Sequence, residues 1–222
     1  MFSHIKSHLC CTLIVVYGFA VGVSEAAAIT NPYRAAAQKY ADALLEHGLD
    51  RYGPTHTPLF VQMIDLRTLE IPKQRTAADW RTEMSHWKED NNYLMWGKDR
   101  SSVLWAQDSN LLWDTENVRL LNDLSKTTGN PKYAKAADEY MRFFLKCCVS
   151  RTTGLFAWGE HMAYNVQDDE IHGQRHELQH PAPLWEELWK IDPEAVQDEI
   201  EGIYNYHITD KSIMAYDRHA NY

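Results

Sequence analysis

The chain has 222 residues, a net charge of −9 and eleven histidines. That length holds one sizeable domain with its own core. The acidic balance argues against a nucleic-acid partner, which needs a basic face. It leaves room for an acidic substrate, because a few local cations or a bound metal can reverse the field at a cleft.

Residues 1–28 read as a signal peptide. Lys6 gives a short basic region, Leu9 to Val23 an apolar run too short to span a bilayer comfortably, and Ala26-Ala27-Ala28 a cleavage site. A secreted or periplasmic domain over residues 29–222 is expected, with no membrane attachment after cleavage. Cys10 and Cys11 leave with the signal, so Cys147 and Cys148 remain. Adjacent cysteines in a helix are poorly placed to bond each other, so no disulfide framework is expected and both read as core.

Asn31-Pro32 starts a first helix that Gly48 stops. Arg51 to Pro72 is irregular, divided by Pro54, Pro58 and Pro72. A short helix is expected over Ala77–Lys88. From Ser109 the apolar residues Leu111, Leu112, Val118, Leu120, Leu121 and Leu124 recur at helical spacing. Gly129-Asn130-Pro131 then closes that helix and starts another to Cys148, with Tyr133, Ala137, Tyr140 and Phe144 on its apolar face. Arg151 to Gly173 lacks helical periodicity and reads as a loop or short β-hairpin. Two more helices are expected over Pro183–Lys190 and Pro193–His207, with Leu184, Trp185, Leu188, Trp189, Val196, Ile200 and Ile203 as core positions. Helical hairpins with ligand-bearing loops suggest an all-α fold, an (α/α) toroid. A full toroid needs on the order of 250–350 residues, so an incomplete one is expected.

The chemistry gathers between Trp158 and Tyr222. Six histidines fall there (His161, His172, His176, His180, His207 and His219) among Glu160, Asp168, Asp169, Glu170 and Glu177. Imidazole with carboxylate is ordinary ligand chemistry for a divalent metal. His176-Glu177-Leu178-Gln179-His180 fits the zinc-peptidase pattern, which needs a helix to bring both histidines to one face. Pro181, Pro183 and a polar upstream run speak against that helix. Asp168-Asp169-Glu170 reads as a solvated loop. His56 and Lys98 are further polar candidates to which the sequence assigns no role.

Tyr40-Ala41-Asp42, Asp50 to Pro54, Thr57 to Val61, Thr128 to Tyr133, Gly154 to His161, His176-Glu177-Leu178, Ile191 to Ala195 and Asp217-Arg218-His219 occur in an order and spacing that resembles family-2 polysaccharide lyases, pectate lyases of the α/α-toroid type. The resemblance implies metal-assisted β-elimination of polygalacturonate or oligogalacturonides. It implies His161, Glu177 and His219 as ligands of a divalent transition metal, typically Mn2+, and Arg218 as the base. Trp158 and Tyr164 stand close enough in sequence to stack on sugars. Arg218 is equally readable as a carboxylate clamp or as an ion-pair partner of Asp217. Three other readings stay open: a glycoside hydrolase or sugar epimerase using Glu160 and Glu177, the zinc peptidase, and a non-catalytic carbohydrate-binding fragment.

Overall fold

A computed structural model describes residues 31–71, 107–178 and 183–222. The expected signal peptide, the candidate helix over Ala77–Lys88, Lys98 and His180 lie outside the described residues. Contacts group Pro32–Tyr222 as one compact unit.

Helix α1 spans Pro32–His47. The chain then turns at Gly48 and forms an isolated antiparallel bridge between Leu49 and Phe60. The intervening loop is held by Asp50, whose carboxylate accepts hydrogen bonds from Tyr52 N and Thr57 N, both at 2.9 Å.

Strand β1 is Asp108–Ser109, and Asn110 caps helix α2, Leu111–Thr128. The Asn110 side-chain oxygen accepts from Leu112 N, which fixes the start of the helix. Gly129 ends it at φ 71°, a left-handed backbone that glycine takes without a steric penalty. Asn130 then caps helix α3, Pro131–Cys147, with proline in its first turn. The α2/α3 hairpin is the apolar centre: Leu111, Val118, Leu121, Leu124, Tyr133, Ala137, Tyr140 and Phe144 are all buried. Cys148 joins this core, Cys147 is half-buried, and both are free thiols.

After α3 the architecture changes. Strands β2, Met162–Asn165, and β3, Glu170–Gly173, form a hairpin that pairs with β1 in the order β1-β2-β3. Strand β4, Arg175–Glu177, waits for a partner much later in the chain. Helices α4, Trp185–Ile191, and α5, Pro193–Gly202, follow, joined through Asp192, which caps α5. A π-helical turn, Ile203–His207, continues α5. Strands β5, Ile208–Asp210, and β6, Ala215–Tyr216, pair with each other, and β7, His219–Asn221, pairs antiparallel with β4.

The described residues are therefore mixed α and β, which corrects the all-α toroid expectation. The helices were legible because they are long and periodic. The strands run two to four residues, too short for an alternating pattern to register. Two core assignments also change: Trp189 and Ile200 are about half exposed, at 49% and 50%. The buried faces of α4 and α5 include Leu188, Val196, Gly202 and, without any apolar signal, Glu199.

Candidate metal centre

Three segments far apart in sequence meet at one point. His161 stands on the turn entering β2, Glu177 ends β4, and His219 begins β7. The pairing of β4 with β7 sets Glu177 directly opposite His219, so both side chains stand on one face of the two-stranded sheet. His176, opposite Ala220, points to the other face. The pairing is fastened by Leu178 N donating to Arg218 O at 2.9 Å and Tyr222 N to Gln174 O at 3.0 Å.

His161 arrives through close backbone packing. Gly159 has φ 108°, and a Cβ there would lie 2.4 Å from Glu177 Cβ. Only glycine lets the chain pass that close in that conformation. Gly173 plays the same part behind His161, where a Cβ would fall 1.9 Å from the His161 carbonyl oxygen. The loop is gripped from below by buried Asn110, whose amide donates to Gly159 O at 2.7 Å and to Met162 O. One residue thus caps α2 and holds the His161 turn.

Donor atoms of His161, Glu177 and His219 all lie within 4.8 Å of one another. Ligands about 2.1 Å from a shared ion stand roughly 3–4 Å apart, so a small side-chain closure completes the set. Glu177 is fully buried, His161 18% exposed and His219 32% exposed. The Glu177 Oε1 atom is 3.3 Å from His219 Nε2 and 3.9 Å from His161 Nε2. His219 Nε2 is buried and makes no hydrogen bond, an arrangement that suits a ligand atom and is costly otherwise. Two imidazoles and one carboxylate match a first-row divalent ion and leave coordination positions open.

A buried carboxylate needs compensation for its lost hydration. Glu177 receives it from the Glu160 backbone N–H, 2.7 Å from Oε2, and from the Arg218 guanidinium at Oε1. Arg218 Nη2 also lies 3.5 Å from Glu160 Oε2, with about half of its side chain exposed. Arg218 therefore pairs with Glu177 and Glu160. Asp217 instead accepts from His219 N at 2.9 Å.

The other sequence candidates separate from this point. His172 faces Asp168 at 3.2 Å and Glu170 at 3.5 Å. Asp169 is no simple solvated loop residue, since it accepts from Thr55 N at 2.8 Å and has φ 57°. His56 is exposed. Trp158 and Tyr164 are buried, at 2% and 6%, and Tyr164 packs edge-on against Phe143. Neither offers an exposed ring face for stacking on a sugar. His176 and Glu177 lie on a strand, so the zinc-peptidase reading has lost the helix it needs.

Behind the site lies a polar chain that sequence reading missed. His176 Nε2 is 3.0 Å from Glu199 Oε1, and its Nδ1 is 2.7 Å from His207 Nε2. His207 Nδ1 is 2.8 Å from the Asp217 carbonyl, and Glu199 Oε2 accepts from Phe156 N at 2.6 Å. His176, Glu199 and His207 are all buried. Burial holds His207 below the usual imidazole range, and neighbouring His176 adds to that effect.

The three donors, one on a turn and two on a strand pair, form a group that could hold a metal ion. The model of the periplasmic pectate lyase family matches residues 82–222, well over half of the chain. The protein belongs to that family. A pectate disaccharide-lyase of Dickeya dadantii (strain 3937) is 34% identical over 110 residues, which cover 47% of this chain and 20% of the relative. The chain thus spans about a fifth of the length of that relative. Among the described residues no helix is long and apolar enough to cross a membrane.

Proposed function

We propose that this chain is a pectate lyase unit, secreted or periplasmic, that cleaves polygalacturonate or oligogalacturonides by β-elimination. In this reading His161, Glu177 and His219 hold a divalent transition metal, Mn2+ by the family resemblance. The observation that carries the reading is the convergence of those three donors from three separate segments. Family membership supports the substrate class.

When bound, such an ion supplies a Lewis acid that draws charge from the uronate carboxylate and acidifies the neighbouring carbon. In the elimination a base, Arg218 by the resemblance, takes the proton from that carbon, the freed electron pair forms a carbon–carbon double bond, and the glycosidic oxygen leaves and takes up a proton from water. Arg218 stands beside the ligand Glu177 with half of its side chain open to solvent, which suits contact with a substrate. The resemblance makes it the base. Its ion pairs with Glu177 and Glu160 support the alternative role of a cationic clamp on the uronate carboxylate, because a paired guanidinium keeps its proton and then is not the base.

The test is to incubate the chain with polygalacturonate and Mn2+ and follow ultraviolet absorbance of the unsaturated product. A rise that a chelator abolishes is expected. Metal-independent release of saturated sugar would overturn the reading in favour of hydrolysis by Glu160 and Glu177. Oligogalacturonide binding without turnover would favour a carbohydrate-binding role. Arg218→Lys separates the two roles of Arg218: a lysine base moves the pH–rate profile to lower pH, whereas a lost clamp raises KM at an unchanged profile.

A further inference from the structure

We propose that Glu199, His176 and His207 form a directional hydrogen-bond chain that positions all three donor segments of the metal centre. The chain begins at Phe156 N, five residues before His161. It passes through His176, one residue before Glu177, and ends on the Asp217 carbonyl, two residues before His219. None of its members is one of the three donors, so these are positioning residues.

The direction follows from what each atom can do. The Asp217 carbonyl only accepts, so His207 Nδ1 carries a proton. A neutral His207 then offers the Nε2 lone pair, and His176 Nδ1–H donates to it at 2.7 Å. The contact between His176 Nε2 and Glu199 Oε1 needs one more proton, shared by that pair. Glu199 Oε2 stays free to accept from Phe156 N. Every polar atom along the line has one assigned partner, which is the condition under which a buried network rigidifies its surroundings.

The π-helical turn explains how His207 reaches this line. After α5 the wider turn over Ile203–His207 brings His207 inward, fully buried, while Tyr204 and Tyr206 stay about half exposed. Insertions of this kind are frequent near functional sites. Backbone pairing reinforces the contact, with Asp217 N donating to His207 O at 2.8 Å.

The direction makes a sharp distinction between near-identical substitutions at 199. In Glu199→Gln the amide oxygen accepts from Phe156 N and the amide nitrogen donates to His176 Nε2, so every link survives. Glu199→Met keeps the volume and removes both links. His207→Phe keeps a ring and removes the link to Asp217.

The affinity readout rests on the metal reading above; an amide-exchange readout does not. Exchange of the Leu178 amide, which donates to Arg218 O, reports whether the β7 end stays seated on β4. We expect wild type and Glu199→Gln to protect it equally and to bind Mn2+ within about threefold of each other. Glu199→Met and His207→Phe are expected to raise Leu178 exchange at least about tenfold and weaken Mn2+ binding by a similar factor, with far-ultraviolet circular dichroism unchanged. Nitrogen-15 spectra of the imidazoles provide a check that needs no disruptive variant: His207 should carry its proton on Nδ1, and His176 should carry one there too. A wild type that binds no Mn2+ but shows these tautomers and the Leu178 pattern would fail the metal reading alone. His207 protonated only on Nε2, or Leu178 protection and metal affinity equal in Glu199→Met and wild type, would overturn the positioning chain.

Discussion

The α2/α3 hairpin and the β4/β7 pair solve the problem of order in opposite ways. The hairpin buries apolar side chains at helical spacing, with a local polar group around Asp114. Asp114 accepts from Tyr140 OH at 2.8 Å and Asn117 Nδ2 at 3.0 Å. The strand pair has three-residue strands and buries Glu177, His176, Glu199 and His207 around itself. One region is held by burial and the other by satisfied polar partners. The first tolerates small errors of position, whereas the second works only if each partner is in reach.

Cutting into the hairpin should therefore cost the most stability and leave the site chemistry least selectively touched. Leu121→Ala empties a fully buried position and should destabilise the fold by about 2–5 kcal/mol. Denaturant melts check the loss, and Mn2+ affinity of the molecules that remain folded should stay near wild type. A comparable loss of affinity would erase the distinction between the two regions.

Asp114 tests the polar exception inside the hairpin. Burial raises its pKa from 3.8 to about 7. The folded state then holds a proton that the unfolded state releases, so this group's contribution is full below about pH 4 and is lost as pH rises through 7. At about 1.4 kcal/mol per pH unit between those values, the effect has a ceiling of about 4 kcal/mol. The difference in unfolding free energy between wild type and Asp114→Asn should therefore change across pH 4–7 and level off above it. A pH-independent difference would mean that Asp114 is ionised in the fold throughout.

Asn110 joins the two regions and should show both kinds of loss. Asn110→Ala removes the α2 cap and two bonds to the His161 turn. About 1–3 kcal/mol of stability should go, together with a drop in Mn2+ affinity that Leu121→Ala does not produce. Asn110→Ser, which keeps a cap oxygen and loses the amide donors, should recover part of the stability but not the affinity.

These contrasts also explain what could be read from the residues. The helices announced themselves through Leu111–Leu124, Asn130-Pro131 and Gly129, because their signals are local. The proposed metal donors His161, Glu177 and His219 were reachable only through family motifs, since no local pattern says which histidines converge. Glu199 sits on a helix among exposed acids, with nothing to mark it as the buried partner of His176. Asn110 was not singled out in the sequence, and its grip on Gly159 and Met162 depends on a loop about fifty residues away. Trp158 and Tyr164 show the reverse case: aromatic residues near ligands in sequence, yet buried in the core.

A smaller effect concerns the guanidinium beside the ligands. Arg218 pairs with Glu177 Oε1, the oxygen nearest both histidines, and so competes with a cation for it. Arg218→Ala should raise Mn2+ affinity by about tenfold, equivalent to about 1.4 kcal/mol, while removing lyase activity. Unchanged affinity would separate Arg218 from the ligand oxygen altogether.

The central claim is that three distant segments fold into one metal centre, and direct titration with Mn2+ tests it. Calorimetry or electron paramagnetic resonance on the intact chain should give one ion per molecule. His161→Ala and His219→Ala should each weaken that binding by at least about a hundredfold, with helix content unchanged. No Mn2+ binding by the wild type, or equal affinity in either histidine variant, would contradict the account.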